Sequence, residues 1–151
     1  MPAVQHRLTA LLFAAVGAMA AVSHASAQTP TTADRSKQIN IRIGSKDYSA
    51  TLEDNAAAGA FKALLPMTVK MSELNRNEKY CRLPGNPPTN ASNPGTIQSG
   101  DLMIYGSNTL VLFYKTFPTS YEYTRLGRIK DTTGLAEAAG SGSVTVTFEV
   151  E

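Results

Sequence analysis

Alternation of apolar and polar residues predicts short β-strands along most of the chain. Residues 38–43 alternate isoleucine with polar residues, and residues 48–52 repeat the pattern after a turn at 44–47. The same period recurs at residues 67–71 and is clearest at 144–151. Because successive strand residues point to opposite faces, each segment predicts a strand with one buried face, and the first two predict a hairpin.

Two further segments predict the centre of a sheet. The run "LMIY" ends at Tyr105, and "TLVLFYK" begins at Thr109 after a short Gly-Ser-Asn connection. We expect an antiparallel pair, and the second strand should lie centrally because it is apolar on both faces. Residues 84–95, "PGNPPTNASNPG", contain too many prolines, asparagines and glycines for a regular element and predict a loop.

Only two short helices are expected. Residues 56–65 carry one apolar stripe after Asp54 or Asn55, either of which can cap a helix, and Pro66 prevents its continuation. The run "GLAEAAG" predicts a second helix that Asp131 or Thr132 would cap. Many short strands, two brief helices and no repeat indicate a mainly β domain, and closure into a barrel would remove exposed strand edges.

The N-terminal segment predicts export. Residues 1–27 combine a short basic start, an apolar stretch and a small-residue cleavage pattern at Ala25-Ser26-Ala27, which is typical of a secretory signal peptide. The apolar run is shorter than the roughly 18 residues needed to span a bilayer. We therefore expect a flexible leader at 28–37, a single domain at 38–151 and a periplasmic or secreted protein that leaves the membrane after cleavage.

Charge and composition exclude several kinds of chemistry. The chain has 14 Lys and Arg against 12 Asp and Glu, and removal of Arg7 with the signal leaves 13 against 12. A net charge near +1 does not favour nucleic acid or an anionic membrane. Both histidines precede residue 28 and Cys81 is the single cysteine, so we expect no histidine-based catalysis, no metal site, no internal disulfide and no cofactor. A lone cysteine is more often a small buried apolar residue than a reactive thiol, although oxidation stays an alternative.

Aromatic residues are concentrated in the second half of the domain. Six of the ten in the predicted mature chain fall between positions 105 and 123. They are Tyr105, Phe113, Tyr114, Phe117, Tyr121 and Tyr123. Such a cluster can form a binding wall or simply a core, because strands favour these residues for packing alone.

The stretch "TSYEYTRLGRI" adds cations to this cluster. In an extended chain, Tyr121, Tyr123 and Arg125 would share one face. Arg128, in "LGRI", is the first candidate for a cation directed at a ligand, with its stem along apolar surface. Asp101 is expected to shape a turn rather than to act as a base.

Three blocks of the sequence resemble the bacterial cyclophilin-like family. They are "MSELNRNEKYCRLP", "NPGTIQSGDLMIYGSNTLVLFYKTF" and "TSYEYTRLGRI" with the following "GLAEAAGSGSVTVTFE". The resemblance extends from about Ile39 to Glu149. It implies a closed antiparallel eight-stranded cyclophilin-like barrel with two short helices.

The resemblance implies the fold more strongly than it implies an activity. Prolyl isomerisation has a barrier of about 20 kcal/mol, which true cyclophilins lower with an apolar pocket and an arginine that bonds to the prolyl nitrogen. Their Phe-His-Arg and Gln-Gly-Gly-Asp-Phe segments have no counterpart in this chain. Arg128 or Arg125 could supply an arginine, but only by analogy of fold.

Three functions therefore stay open. The first is a binding module whose pocket uses Tyr105, Phe113, Tyr114, Tyr121 and Arg128 to hold a small molecule or a peptide segment. The second is a divergent peptidyl-prolyl cis-trans isomerase, with Arg128 as its candidate catalytic residue. The third is an accessory partner of another protein, such as a flavodoxin-like redox protein.

Overall fold

The computed structural model describes residues 26–151, so the predicted signal peptide lies almost entirely outside the described residues. In chain order the elements are α1 (Thr32–Arg35), β1 (Gln38–Ile43), β2 (Lys46–Leu52), α2 (Ala56–Lys62), β3 (Met67–Leu74), β4 (Glu78–Arg82), β5 (Thr96–Ile97), β6 (Asp101–Tyr105), β7 (Thr109–Phe113), β8 (Phe117–Pro118), β9 (Thr124–Ile129), α3 (Leu135–Ala139) and β10 (Val144–Val150). Eight of the strands close into one antiparallel barrel in the order β1-β10-β3-β4-β7-β6-β9-β2. The mainly β, closed eight-stranded barrel is confirmed.

Both predicted strand pairs form as expected. Strands β1 and β2 make the first hairpin, with Ile41 opposite Tyr48. Strands β6 and β7 make the second, with Met103 opposite Val111. Closure of the barrel needs a close approach between β2 and β9, because a Cβ atom at Gly127 would lie 2.4 Å from the carbonyl oxygen of Thr51.

The barrel interior is filled by side chains. The inward isoleucines of β1, Leu102 and Ile104 of β6, and Phe148 of β10 are all fully buried. Phe61 of α2 packs edge-on against Phe148, with 5.4 Å between ring centroids. A packed interior of this kind leaves ligand binding to the outside of the barrel or to its ends.

The helices agree only in part with the prediction. Asn55 caps α2 as expected, since its side chain accepts a hydrogen bond from the backbone N–H of Ala58 at 2.7 Å. The predicted cap of the second helix is wrong, because α3 begins after Gly134, which has a left-handed φ of 74° and forms no side-chain cap. Asp131 instead accepts hydrogen bonds from the backbone and hydroxyl of Thr133.

A third helix was not predicted. The four-residue α1 lies in the segment that the sequence assigned to a leader without regular structure, and Thr31 caps it through a hydrogen bond from Asp34 N–H. The sequence analysis did not identify this cap because the segment is mostly polar and has no apolar period. Within residues 26–151, no helix has the length and apolar character needed to cross a membrane.

A second layer covers the outside of the wall formed by β4, β7, β6 and β9. It contains the short ribbon of β5 and β8, in which Ile97 pairs with Phe117. Beneath it lies a small apolar cluster that is separate from the barrel interior. Its buried members are Ile97, Met103, Val111, Phe113 and Tyr123.

Candidate functional site

A groove of about 510 Å³ lies on the outer face of this wall, beside the small apolar cluster. Four of the six tyrosines contribute to it, and we call it the aromatic groove. Its lining includes Asn77, Glu78, Tyr80, Tyr105, Val111, Phe117, Tyr121 and Tyr123. The volume is in the range of sites for small molecules or short peptide segments.

The aromatic rings form a connected series along the groove. Tyr105 contacts Tyr121 edge-on at 6.1 Å between centroids and Tyr123 at 5.7 Å. Below them, Phe113 packs edge-on against Tyr123 at 5.4 Å and contacts Phe117 at 5.7 Å. Edge-to-face contacts of this kind stabilise the ring orientations, so the wall of the groove is preorganised.

One loop, residues 84–95, holds this wall in place from two sides. Ser92, in the loop predicted at 84–95, exchanges two backbone hydrogen bonds of 3.0 Å with Tyr123. Asn90 donates its backbone N–H to the hydroxyl of Thr124 at 3.0 Å. On the other side, Thr119 N–H bonds to the Gly95 carbonyl at 2.9 Å. The proline-rich loop therefore fixes the tyrosine segment by its backbone.

Glu78 is a buried carboxylate in the lining of the groove. It is 8% exposed, and no hydrogen bond or ion pair from residues 26–151 reaches its side chain. Burial, with a smaller effect from the nearby Glu73, raises the pKa of Glu78 from 4.5 to about 7. A carboxylate without a partner in such a place is costly unless a ligand supplies one.

Asn77, next to Glu78, contains a buried polar atom of a different kind. Its Oδ1 receives no hydrogen bond from the described residues and is enclosed by the protein, so a ligand in the groove does not reach it. The residue follows the turn between β3 and β4, in which Asn75 and Arg76 both have a positive φ, of 55° and 57°. This turn joins the two strands tightly and places Glu78 at one end of the groove.

No lysine or arginine is among the described residues that line the groove, so Glu78 is its only formal charge. Nor does any group of three or more His, Cys, Asp or Glu within residues 26–151 have the arrangement of a metal site. The chemistry that the groove offers is thus aromatic surface, hydroxyl groups and one carboxylate.

The structure brings together three of the five predicted binding residues. Tyr105 and Tyr121 line the groove and are 47% and 62% exposed. Phe113 is fully buried directly beneath them, where it supports Tyr123 and Phe117. These three aromatic side chains therefore lie together, two in the lining of the groove and Phe113 as a supporting residue, and their role in binding stays a prediction.

Tyr114 lies elsewhere, on the opposite face of the wall from Phe113. Its hydroxyl donates to the carboxylate of Glu73 at 2.8 Å, and its ring packs in the barrel interior. Burial and this hydrogen bond raise the pKa of Tyr114 to about 12. The ammonium of Lys79 lies 5.4 Å from the centre of its ring. Tyr114 thus belongs to the packing of one barrel end.

Arg128 also lies away from the groove. Its Nε donates to Oδ1 of the fully buried Asp101 at 2.5 Å, and Asp101 also accepts the backbone N–H of Gln98 at 2.8 Å. Asp101 thus shapes a turn, as predicted. Tyr105 is four residues further along β6, which is about 13 Å in a strand.

The predicted shared face of Tyr121, Tyr123 and Arg125 is found only in part, because both tyrosines line the groove and Arg125 does not. The regular strand begins only at Thr124, so simple alternation does not apply to residues 121–123. Arg125 instead lines a different cavity of about 360 Å³ with Asn55 and Thr124.

Cys81 packs partly buried against the main core, and burial raises the pKa of its thiol to about 11, which disfavours the reactive thiolate.

Sequence analysis missed Glu78, Asn77 and Tyr80 as lining residues. A signal for two of them was present, because Glu78 and Tyr80 alternate with Lys79 and Cys81 and so share the outer face of β4. The pairing of Glu78 with Phe113 across β4 and β7 could not be seen without the register.

Comparisons with known proteins agree with this fold. The sequence model of the Cyclophilin-like family matches residues 41–149. Among solved structures, the solution structure of the hypothetical protein AF2241 from Archaeoglobus fulgidus is similar, with a TM-score of 0.52 and 16% identity. The match covers 78% of this chain and 97% of that one, and at this identity it supports the fold alone. The comparison with curated proteins finds no relative.

Proposed function

We propose a function for this chain, which belongs to the cyclophilin-like family, from its site, because one fold can serve many functions. The protein is an exported module that binds a small molecule or a peptide segment in the aromatic groove. The observation that carries this proposal is the cavity of about 510 Å³ with four tyrosines in its lining. Rigid aromatic side chains provide large contact area at low entropic cost.

The groove supports binding better than isomerisation. An isomerase of the cyclophilin type needs an arginine beside an apolar proline pocket, and the described lining contains no arginine. Arg128 is already paired with Asp101 on another part of the barrel wall. Export is proposed from the composition of residues 1–27, which has the pattern of a signal peptide.

The groove also supports a ligand better than a flat protein interface. Tyr105 and Tyr121 are exposed, but they stand over a concave surface rather than on a continuous flat patch. Concave sites with a few polar groups are typical of small ligands and inserted peptide segments. Cys81 does not support the hypothesis of a redox partner, because its thiol is half buried.

The test is a binding screen by NMR on protein expressed from the full-length sequence. Tyrosine ring signals are followed while short peptides, including X-Pro peptides, and small aromatic or aliphatic compounds are added. We expect ligands to shift the signals of Tyr105, Tyr121 and Tyr123, and Tyr121→Ala to weaken their binding severalfold. Leu64→Ala, which truncates an exposed apolar side chain outside the groove, should leave binding unchanged.

Two outcomes would change the assignment. Catalysis of cis-trans exchange in the X-Pro peptides, lost in Arg128→Ala, would replace the binding module with an isomerase. If no ligand shifts the tyrosine NMR signals at millimolar concentration, the proposed function is wrong.

A further inference from the structure

We infer that the aromatic groove recognises an organic cation with N–H donors, such as an alkylammonium or guanidinium group of a small molecule or of a lysine or arginine side chain. The inference rests on the proposed binding function and specifies its ligand class. It follows from an unpartnered carboxylate that stands among tyrosine rings.

The acceptor is the carboxylate of Glu78. It is more than nine-tenths buried, lines the groove and has no partner among residues 26–151. A buried carboxylate without a partner is unfavourable in the free protein. A cation that enters the groove would supply the missing charge and at least one hydrogen bond.

The N–H donors of the ligand follow from the acceptor capacity of a carboxylate. Both of its oxygens accept hydrogen bonds, so the carboxylate of Glu78 favours a cation that also carries donors. A primary ammonium has three N–H donors and a guanidinium five.

The tyrosine rings complete the site. Tyr105, Tyr121 and Tyr123 present rings in different orientations, with interplanar angles of 82° and 52° between neighbours. The faces of aromatic rings attract cations, most strongly where water is excluded. The described lining contains no Lys or Arg that would repel a cation.

The same strand contains a contrast that shows how this protein satisfies a buried charge. Lys79 is fully buried on the other face, and its Nζ donates to Glu73 at 2.5 Å and to the carbonyls of Gly140 and Gly142 at 2.9 and 2.6 Å. Three acceptors thus surround one internal ammonium, and a tyrosine ring, that of Tyr114, lies beside it. The described lining of the groove holds a carboxylate and tyrosine rings but no ammonium.

The experiment compares four matched probes at pH 8, where Glu78 is mostly ionised because its pKa is about 7. The probes are n-butylammonium, n-butylguanidinium, tetramethylammonium and neutral 1-butanol, and the tyrosine NMR signals give each affinity. We expect the first two to bind about tenfold or more tightly than 1-butanol. Tetramethylammonium should bind more weakly than n-butylammonium because it has no N–H donor.

Glu78→Gln should abolish the preference for n-butylammonium over 1-butanol. This variant keeps the size of the side chain and removes a charge that burial disfavours, so loss of folding would not explain the result. Glu53→Gln, an exposed carboxylate outside the groove, makes the same charge change and should keep the preference.

The outcomes separate this inference from the proposed function. Equal affinity for 1-butanol and n-butylammonium, unchanged in Glu78→Gln, would overturn the cation but leave a binding groove. Equal affinity for tetramethylammonium and n-butylammonium would show that N–H donation to Glu78 contributes nothing to recognition, and would also overturn the inference. If no probe and no peptide binds, both the inference and the proposed function fail.

Discussion

Lys79 and Glu78 are adjacent in β4, and their side chains lie on opposite faces of the barrel wall. The ammonium of Lys79 is fully buried and has three oxygen partners. Glu78 is 8% exposed, and its carboxylate has none within the described residues. One charge is part of the packing at a barrel end, whereas the other lines the aromatic groove. Burial alone therefore does not distinguish these two charges, but the number of their partners does.

Replacing Lys79 should have the largest effect on stability. Lys79→Met retains the length of the side chain but leaves Glu73 and two backbone carbonyls, those of Gly140 and Gly142, without their donor. We expect the free energy of unfolding to fall by about 3 kcal/mol, since removal of one partner leaves buried polar groups unpaired. Urea denaturation measures the loss.

The control for this prediction is Lys70→Met, which removes an exposed lysine from β3. It should change stability by less than about 0.5 kcal/mol. A small loss in both variants would mean that the internal ammonium is no more structural than a surface one, and the contrast with Glu78 would disappear.

Replacing Glu78 should stabilise the protein, but only at neutral and higher pH. The folded-state pKa of Glu78 is about 7, above the ordinary value of 4.5, so the folded protein holds this proton more tightly than the unfolded chain does. Between these values the stability of the parent protein falls as pH rises. Glu78→Gln avoids this loss, so we expect it to gain up to about 3 kcal/mol at pH 8 and little at pH 4.

Denaturation of the parent protein and Glu78→Gln over this pH range checks the sign. Charged or titratable groups from neighbouring elements include Glu73 on β3, Tyr114 after β7 and Tyr123 before β9. The tyrosines have raised pKa values and stay neutral in this range. A parent protein that becomes more stable than the variant at pH 8 would indicate a partner for Glu78 within the chain.

Glu73 connects the two sites and should produce a smaller effect on Glu78. Its carboxylate binds Lys79 and Tyr114, and its charge adds to burial in raising the pKa of Glu78. In Glu73→Gln, the pKa of Glu78 should fall by less than about one unit, because burial is the larger cause. NMR titration of the Glu78 carboxyl carbon measures it. A pKa that returns to 4.5 would make electrostatic repulsion, rather than burial, the main cause.

Tyr121→Ala should have the smallest effect on stability. Its side chain is 62% exposed and contacts Tyr105 at the edge of the groove. We expect a change below about 0.5 kcal/mol in the free energy of unfolding, together with the severalfold loss of ligand affinity described above. A large loss of stability would reassign this tyrosine to packing.

The strands could be predicted from the sequence because each has a period of two, as in Ile39, Ile41 and Ile43. The aromatic wall could be predicted in part, because its tyrosines are close together in the chain. Arg128 could not be placed, since its partner Asp101 is 27 residues away and the pairing depends on the register of β6 and β9. Glu78 was missed for a similar reason, as its burial arises from loops distant in sequence.

The arrangement of β4 also bears on how this protein can change during evolution. Glu78 and Tyr80 face the groove, whereas Lys79 and Cys81 face the barrel. If the groove binds a ligand as proposed, neighbouring codons in this strand are under different selection, one set for ligand choice and the other for folding. Relatives of this protein could then diverge in what they bind by substitutions at alternate positions, while the scaffold is inherited unchanged.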